Sequence, residues 1–330
     1  MLYSELQCSD AIHKAVERMG FAEMTEIQEK TIPVMMAGYD VIAKAPTGTG
    51  KTCAFGIPVA EHILPENKYP QAVIMAPTRE LAQQIAQELE ELTYFMPEVQ
   101  VACVYGGANI EKQAKRLAEG CQIVVATPGR LMDHYKHHSI DISHVTQIVL
   151  DEADEMLNMG FIEDIEEILS HANDRRRILL FSATMPERII SLSKKYMRDS
   201  ELLRVPSQEM TTELTDQIYF EVRDSDKFDA LTRIIDTEPE FYGIVFSRTK
   251  VGVDELVNRL TERGYAAEGL HGDVSQAQRE KILRKFRDRA VNILVATDVA
   301  ARGIDVSNLS HVINYSLPQD SESYVHRIGR

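Results

Sequence analysis

A glycine-rich loop near the N-terminus limits the possible folds of this chain more than any other feature. The loop follows the apolar run Asp40–Ala43 and matches G-x-x-x-x-G-K-[ST], with alanine in place of the first glycine. Glycines let such a loop curl so that several backbone N–H groups point at one anion, and the start of a following helix adds positive charge. The loop therefore predicts a strand, a phosphate site and a helix, in that order along the chain. We expect Lys51 to contact the β- and γ-phosphates and the Thr52 hydroxyl to bind Mg²⁺. Its residues are Ala45, Pro46, Thr47, Gly48, Thr49, Gly50, Lys51 and Thr52.

An acidic pair follows a second apolar run, Ile148–Leu150, further along the chain. In proteins with a phosphate loop of this type, the acid at the end of such a strand holds Mg²⁺, commonly through water. We therefore predict that Asp151 binds the metal and that Glu152 polarises the attacking water as a general base. Acidic pairs are also common as solvated turns, but the combination with the phosphate loop favours the catalytic interpretation.

Short apolar runs alternate with helical patterns in both halves of the chain, which predicts βαβ units and parallel sheets. The predicted strands of the first half are Asp40–Ala43, Ala72–Met75, Val99–Val104, Ile123–Val125, Ile148–Leu150 and Ile178–Phe181. Those of the second half are Gln217–Val222, Gly243–Phe246, Ala266–Leu270, Val291–Val295 and Val312–Tyr315. Polar clusters follow most of these strands, and open α/β sheets bind ligands beyond the carboxyl ends of their strands. We therefore expect a continuous functional edge in the first half and the same scheme in the second.

The length and charge of the chain limit its class. Its 330 residues suit two domains of about 100–200 residues each. No run approaches the roughly 18 apolar residues that span a bilayer, and the N-terminus lacks the layout of a signal peptide, so we expect a cytoplasmic protein with no membrane contact. The net charge of −15 argues by itself against a nucleic-acid partner. Backbone N–H groups and helix N-termini nevertheless bind phosphate without adding to the charge.

Beyond these features, the chain closely resembles the DEAD-box ATP-dependent RNA helicases along essentially its whole length, from Tyr3 to Arg330. The motifs occur in the order typical of that family. They are Gly20-Phe21 with Thr25–Gln28, Ala45–Thr52, Pro77–Ala82, Gly106-Gly107, Thr127–Arg130, Asp151–Asp154, Ser182–Thr184, Val245–Thr249, Gln276–Arg279, Ala296–Asp305 and His326–Arg330. The resemblance implies an α/β fold of two RecA-like parallel-sheet lobes, joined by a short linker, that close on RNA and couple ATP hydrolysis to local unwinding of RNA duplexes.

The resemblance also assigns ATP and Mg²⁺ as cofactors and implies how the nucleotide is recognised. Gln28 reads the adenine edge, Phe21 packs on the base, and Thr25 belongs to the same nucleotide-binding motif. The contacts of Gln28 and Phe21 with the base select ATP over other triphosphates. In the second lobe, Gly303 and Asp305 meet the ribose.

The implied RNA contacts go to the sugar–phosphate chain, so we expect little sequence preference, with ribose 2′-OH contacts discriminating against DNA. The first-lobe residues in this set are Thr78, Arg79, Gly107, Thr127, Gly129 and Arg130, and the second-lobe residues are Arg248, Gly272 and Thr297. The residues implied to couple the two lobes are Asp154, Ser182, Thr184, His326 and Arg327. The residue types suit contact with the RNA backbone, because small residues leave backbone N–H groups accessible and arginines pair with phosphate.

The chain departs from the family pattern in three places. Met24 stands where the family usually has proline, and Tyr3 replaces phenylalanine while keeping an aromatic face. The last motif of the family continues past Arg330, a residue implied to reach the γ-phosphate as an arginine finger. The predicted domains are a Q-motif region at 1–29, an ATP-binding domain at 30–205, a linker at 206–215, and a C-terminally incomplete second lobe at 216–330.

Three alternatives stay open at this point. A DNA helicase or translocase can use the same two-lobed scaffold, although ATPase activity that RNA stimulates and single-stranded DNA does not would exclude it. A nucleotide-gated RNA clamp would anchor other proteins with little unwinding. An inactive fragment is the third alternative. The physiological RNA, any ribonucleoprotein partners and the oligomeric state are not determined by the sequence.

Overall fold

The computed structural model describes residues 1–45, 48–198, 200–204, 215–301, 304, 306, 308–318 and 321–328, without the side chains at 321, 322, 325 and 326. The chain divides into two compact units, Met1–Ser207 and Gln208–Arg330, which we call lobe one and lobe two. The division falls within the predicted linker at 206–215, most of which lies outside the described residues. The exact domain boundaries therefore stay a prediction.

Lobe one is built on a sheet of seven parallel strands, preceded by a 3₁₀ turn at Tyr3–Glu5. The strands are β1 (Val41–Lys44), β2 (Ala72–Met75), β3 (Val101–Val104), β4 (Ile123–Ala126), β5 (Gln147–Leu150), β6 (Arg177–Ser182) and β7 (Glu201–Arg204). The helices are α1 (Asp10–Arg18), α2 (Glu26–Met36), α3 (Lys51–Glu61), α4 (Arg79–Leu92), α5 (Ile110–Ala118), α6 (Pro128–Lys136), α7 (Ala153–Asn158), α8 (Ile162–His171) and α9 (Glu187–Tyr196). The strands lie in the order β3-β4-β2-β5-β6-β1-β7, and all of these pairings are parallel.

The strand sequences explain why this sheet is covered on both faces. Strands β2, β4 and β5 are buried at every residue and consist almost entirely of apolar side chains, which is typical of parallel strands between two layers of helices. One core includes Phe55 of α3 and Phe181 of β6, whose rings meet edge to face with centroids 5.3 Å apart. A second core includes Leu131 of α6, Met156 of α7 and Leu169 of α8. The two cores pack the sheet between its two layers of helices.

The carboxyl ends of the central strands lie level with one another. Lys44 pairs with Ser182 across β1 and β6, and Leu150 pairs with Leu180 across β5 and β6. The loops that follow these three strands therefore emerge at the same edge of the sheet. The phosphate loop and the acidic pair meet there, as expected for ligand sites of parallel sheets.

Lobe two repeats the scheme on a smaller sheet. Its strands are β8 (Gly243–Phe246), β9 (Ala267–Leu270), β10 (Ile293–Ala296) and β11 (His311–Asn314), in the order β11-β8-β10-β9 with parallel pairings. A 3₁₀ turn at Asp224–Asp226 precedes its helices, which are α10 (Lys227–Thr237), α11 (Lys250–Glu262), α12 (Gln276–Arg287), α13 (Asp298–Ala301) and α14 (Ser321–Ile328). Within the described residues, no helix combines the length and apolar character needed to cross a bilayer.

The structure confirms the predicted α/β fold of two parallel-sheet lobes, with one wrong strand and one missed strand. The apolar alternation at Gln217–Val222 favours a strand, but Ile218, Tyr219 and Phe220 are 76, 84 and 61% exposed and no described strand pairs with this segment. A strand needs a neighbour for its backbone N–H and C=O groups, and a local pattern cannot supply one. The missed strand, β7, mixes charged residues with leucines, so it carries no apolar run.

Candidate functional site

The phosphate loop is fixed by the sheet on one side and by the N-terminal region on the other. Ala45 N–H donates to the Ser182 carbonyl at 3.0 Å, which ties the loop to the end of β6. Gly48 and Gly50 have φ of 77° and 82°, in the left-handed region that favours glycine. A Cβ on Gly50 would lie 2.5 Å from Gln28 Nε2, so the packing as well as the backbone requires glycine there.

Lys51 is the first residue of α3, and its ammonium group is buried beside Asp151. The two side chains are 6 and 4% exposed, and Lys51 Nζ lies 3.6 Å from Asp151 Oδ1. Lys51 Nζ has no hydrogen-bond acceptor among the described residues. Burial disfavours the charge, but the carboxylates of Asp151, Glu152 and Asp154 together outweigh burial and raise the pKa of Lys51. The site therefore contains a buried cation whose N–H donors fit the oxygens of a phosphate.

Glu152 adopts a backbone conformation that is uncommon for a residue with a side chain. Its φ is 50°, in the left-handed region, and it is the N-cap of α7. Its N–H donates to Asp151 Oδ1 at 3.0 Å. Asp151 is buried, whereas Glu152 is only half-buried. Residues held in such conformations concentrate at functional sites, which agrees with the predicted role of Glu152 as general base.

Asp154 links the acidic turn to the loop after β6. Its Oδ2 accepts hydrogen bonds from the N–H and the hydroxyl of Thr184, both at 2.8 Å. Its own N–H donates to Ser182 Oγ at 3.3 Å, and Ser182 Oγ donates to the Thr184 carbonyl at 2.7 Å. The structure thus brings together the three lobe-one residues predicted to couple the lobes. A displacement of the acidic turn would be transmitted to Ser182 and Thr184 through this buried carboxylate.

Gln28 connects the N-terminal turn to the phosphate loop. Its Oε1 accepts from the Tyr3 hydroxyl at 2.7 Å and from Thr25 N–H at 2.8 Å, while its Nε2 donates to the Gly50 carbonyl at 3.0 Å. Both acceptor positions of the amide oxygen are used within the protein, which leaves one N–H for adenine. The geometry therefore gives Gln28 a structural role that the sequence interpretation missed, and its reading of the adenine edge stays a prediction.

Phe21 and Thr25 complete this region. Phe21 is 44% exposed and stacks on Tyr3 with ring centroids 6.3 Å apart, so its outer face is accessible to a base. The Thr25 hydroxyl donates to the Thr49 carbonyl at 2.8 Å. Thr25 and Gln28 form a capping box at the start of α2, and the T-x-x-Q spacing was a sequence signal for it.

The predicted RNA-binding residues of lobe one lie mainly at turns after strands. Thr78 is the N-cap of α4 and Arg79 is its first residue. Gly107 has φ of 85°, and a Cβ there would lie 2.5 Å from Arg79 Nη1, so the arginine packs against this glycine. Thr127 and Gly129 lie at the start of α6, where the backbone N–H groups of a helix attract phosphate.

Arg130 differs from these residues because its guanidinium is directed into lobe one. Its Nη1 donates to the Ala108 carbonyl and to Gln113 Oε1, both at 3.0 Å, and its Nε lies 3.5 Å from Asp133 Oδ2. The side chain is 11% exposed. This arrangement gives Arg130 a structural role in holding the neighbouring turns, which the sequence interpretation missed, and its contact with RNA stays a prediction.

In lobe two, Arg248, Gly272 and Thr297 follow β8, β9 and β10, so they lie along one edge of the sheet. A cavity of about 460 Å³ opens beside Arg248. Lys227 and Arg259 also line it, together with one carboxylate, that of Glu255. The excess of cations suits the cavity to an anion such as a phosphate.

Arg327, predicted to couple the lobes, is buried inside lobe two. Its Nε and Nη2 donate to the two carboxylate oxygens of Asp298 at 2.5 and 2.8 Å. Its Nη1 donates to Asn314 Oδ1 and to the Ser316 carbonyl, both at 2.7 Å. Four of the five N–H groups of this guanidinium therefore have partners within its own lobe. The side chain ties α14 to α13 and to the end of β11, which is a structural role that the sequence interpretation missed. Its predicted reach toward Asp151–Asp154 stays a prediction.

Several predicted site residues lie outside the described part of the chain. They are Pro46, Thr47, Gly303, Asp305 and Arg330, together with the side chain of His326. Their roles stay predictions.

The residues around Lys51 fit Mg²⁺ in the presence of a nucleotide. No group of three or more His, Cys, Asp or Glu side chains in the described residues could hold a metal ion. Mg²⁺ does not need such a group, because it keeps several waters and binds through one or two carboxylates plus substrate phosphates. The buried Asp151 carboxylate is an oxygen ligand of this kind, and so is the hydroxyl of Thr52, which lies in the first turn of α3.

The fold and the site together define a P-loop α/β protein with two RecA-like lobes. Comparison with protein families makes this assignment specific. The DEAD/DEAH box helicase pattern matches residues 25–192, and the helicase conserved C-terminal domain pattern matches residues 226–330. The chain belongs to the DEAD/DEAH box helicase family, and the resemblance seen in the sequence is confirmed.

Individual relatives agree with this assignment. The chain is 53% identical to the DEAD-box ATP-dependent RNA helicase CshA of Geobacillus kaustophilus over 99% of its length and 70% of that protein. It is 52% identical to the ATP-dependent RNA helicase CshA of Limosilactobacillus reuteri, over 100% of the chain and 66% of the relative. The structure of S. cerevisiae Dbp5 bound to RNA and ADP BeF3 superposes with a TM-score of 0.87 at 29% identity, covering 100% of this chain and 85% of that one. The chain thus falls among the ATP-dependent RNA helicases and spans about two thirds of the length of the two CshA relatives.

Proposed function

We propose that this chain is the ATP-hydrolysing core of an RNA helicase that locally unwinds or remodels RNA duplexes and ribonucleoprotein. The observation that carries the proposal is the buried Lys51 ammonium, 3.6 Å from Asp151 and without a hydrogen-bond acceptor among the described residues. The names of the CshA relatives and the RNA and ADP BeF3 bound to Dbp5 support the choice of ATP and RNA as ligands.

In the proposed reaction, Lys51 and the backbone N–H groups of the phosphate loop hold the β- and γ-phosphates. Thr52 and Asp151 would hold Mg²⁺, which neutralises negative charge on the phosphates when bound. The Glu152 carboxylate accepts a proton from the water that attacks the γ-phosphorus, and the bond to the bridging oxygen breaks to give ADP and phosphate. The half-buried position of Glu152 supports this role because it combines solvent access with a fixed backbone.

The proposal couples this chemistry to RNA through the Asp154 carboxylate. Asp154 follows the acidic pair directly and binds Thr184 through both the backbone and the hydroxyl. When hydrolysis shifts the acidic turn, the position of the loop after β6 changes with it. The lobes, which had closed on RNA, then open. The same proposal includes the arginine finger Arg330, the ribose contacts Gly303 and Asp305, and coupling by His326 and Arg327, all of which rest on the family resemblance.

The proposed RNA site uses helix N-termini and strand-end turns in each lobe. The first-lobe residues are Thr78, Arg79, Gly107, Thr127, Gly129 and Arg130. The second-lobe residues are Arg248, Gly272 and Thr297. These positions offer backbone N–H groups and arginines to phosphates but no set of side chains for reading bases, so the sequence preference is weak. A cytoplasmic location and ribonucleoprotein partners remain predictions from the sequence.

The experiment that tests the proposal measures ATPase activity of the purified chain with no nucleic acid, with single-stranded RNA and with single-stranded DNA of the same sequence. Stimulation by RNA alone supports the proposal, and equal stimulation by DNA would identify a general translocase. A strand-displacement assay on a short RNA duplex then separates helicase from clamp. ATP-dependent retention of RNA without displacement would assign the clamp.

A further inference from the structure

Three side chains, those of Gln113, Arg130 and His134, form a cluster in lobe one that joins the loop at Gly107 to the N-terminal part of α6, two places proposed to bind RNA. Gln113 lies on α5 and is 8% exposed, and His134 lies on α6 and is fully buried. Gln113 Oε1 accepts hydrogen bonds from Arg130 Nη1 at 3.0 Å and from His134 Nε2 at 3.2 Å. Neither Gln113 nor His134 belongs to the sequence motifs, and neither was predicted to be functional.

The orientation of the Gln113 amide is fixed by its neighbours. Arg130 can only donate, so the Gln113 oxygen must face it, and Gln113 Nε2 then donates to the Tyr105 carbonyl at 3.1 Å. His134 Nε2 must therefore carry the proton that the same oxygen accepts. The other ring nitrogen, Nδ1, is buried and has no hydrogen-bond partner among the described residues. Burial, and then the Arg130 cation, lower the pKa of His134, which keeps the ring neutral.

The cluster also makes hydrogen bonds to the loop that contains Gly107. Arg130 Nη1 also donates to the Ala108 carbonyl at 3.0 Å, and Gln113 Nε2 holds the Tyr105 carbonyl, so the loop is held on both sides of Gly107. The Tyr105 hydroxyl in turn accepts from Gln83 of α4 at 2.8 Å. One amide side chain thus fixes the loop after β3 against the start of α6, where Thr127 and Gly129 lie.

We propose that Gln113 and His134 are positioning residues for RNA binding: they orient Arg130, and through it set the spacing between the loop at Gly107 and the N-terminus of α6. Neither contacts RNA or ATP. The inference rests on the proposed function, because it assumes that these turns bind the RNA backbone. Phosphate binding by backbone N–H groups depends on the spacing between the turns that carry them, since an N–H group cannot adjust to a phosphate by changing rotamer.

The experiment compares Gln113→Met with the matched control Gln122→Met. Gln122 is buried like Gln113, accepts from Gln100 N–H at 2.9 Å and donates to the Pro65 carbonyl at 3.0 Å, but it precedes β4 at the amino end of the sheet. Gln122 Nε2 also donates to the Glu98 carbonyl at 3.3 Å, so each variant loses three side-chain hydrogen bonds. The measurements are RNA affinity, the RNA concentration that half-saturates ATPase, kcat at saturating RNA, ATP affinity without RNA, and thermal unfolding.

We expect Q113M to weaken RNA binding and raise the half-saturating RNA concentration about tenfold, the equivalent of about one hydrogen bond to a charged group. Its ATP affinity without RNA and its kcat at saturating RNA remain those of the wild type. Q122M should lower thermal stability to a similar extent while leaving RNA affinity unchanged. Equal RNA affinity in the two variants, with an RNA-stimulated wild type, would overturn the inference, whereas a wild type without RNA stimulation would overturn the proposed function itself.

A second pair of variants tests the positioning role if Gln113→Met fails to fold. His134→Leu removes the donor to Gln113, and His134→Gln keeps an N–H at the same end of the side chain. We expect weaker RNA binding in H134L and recovery in H134Q. An RNA affinity in H134L equal to that of the wild type would contradict the role of His134.

Discussion

The two lobes use their buried cations in opposite ways. In lobe one, Lys51 lies beside Asp151 at 3.6 Å and makes no hydrogen bond within the described residues. In lobe two, Arg327 is equally buried but donates four hydrogen bonds, two of them to Asp298. The first cation remains available to a ligand, whereas the second holds together the lobe that contains it.

This difference has a physical basis in the two side chains. A lysine ammonium is a compact charge with rotatable donors, and it can face a phosphate without a preset geometry. An arginine guanidinium is a rigid planar fork that fits a carboxylate through two parallel hydrogen bonds. Removal of Lys51 should therefore reduce activity more than stability, and a change at Arg327 should reduce stability more than ATP binding.

The largest expected effect is on Lys51. We expect Lys51→Ala to lower RNA-stimulated ATP turnover by about 10³-fold or more, because a preorganised donor to the reacting phosphates is lost. Steady-state ATPase assays measure this loss. The exposed Lys194→Ala, on α9, is the control and should retain wild-type turnover. An unchanged rate in K51A would refute the assignment of the phosphate site.

The next effect concerns the acid that follows Asp151. We expect Glu152→Gln to bind ATP normally but to hydrolyse it at least about 100-fold more slowly, because the amide cannot accept the proton of the attacking water. Single-turnover kinetics, with ATP affinity measured separately, distinguish the two steps. The control is Glu163→Gln at an exposed position of α8. Normal hydrolysis in E152Q would remove Glu152 from its proposed role.

In lobe two, Arg327→Lys should reduce stability while sparing ATP binding. Lysine keeps the charge but cannot make the two-point contact with Asp298, so we expect a loss of about 2 kcal/mol in the free energy of unfolding. Denaturant titration measures the loss, and Arg233→Lys on the exposed face of α10 is the control. A variant as stable as the wild type would mean that the two lobes do not differ in the proposed way.

The smallest effect is expected at the N-terminal turn. Burial raises the pKa of Tyr3, so its hydroxyl stays protonated and donates to Gln28. We expect Tyr3→Phe to cost about 1 kcal/mol of folding free energy, the typical value of one hydrogen bond. Thermal unfolding in the presence and absence of ATP measures the change. Tyr39→Phe, at a 54% exposed tyrosine, should have no effect.

The wrong strand and the contacts that the sequence interpretation missed share one cause. The segment at Gln217–Val222 has the apolar alternation of a strand, but strand pairing depends on a neighbour that a local pattern does not contain. Arg130 and Arg327 occupy motif positions associated with RNA binding and lobe coupling, yet each is bonded to partners within its own lobe. Residue type identified these arginines as important, but only the fold determined what their donors contact.

The sequence by itself determined what depends on adjacent residues. These features are the phosphate loop after an apolar run, the acidic pair at Asp151 and Glu152, and the alternation of strands and helices, because each is encoded within about one element and its following turn. Tertiary structure decided which distant groups meet. The contacts of Gln28 with Gly50 and of Gln113 with Arg130 and His134 join elements separated along the chain, and hydrogen bonds between such groups form only when packing brings a donor and an acceptor within about 3 Å.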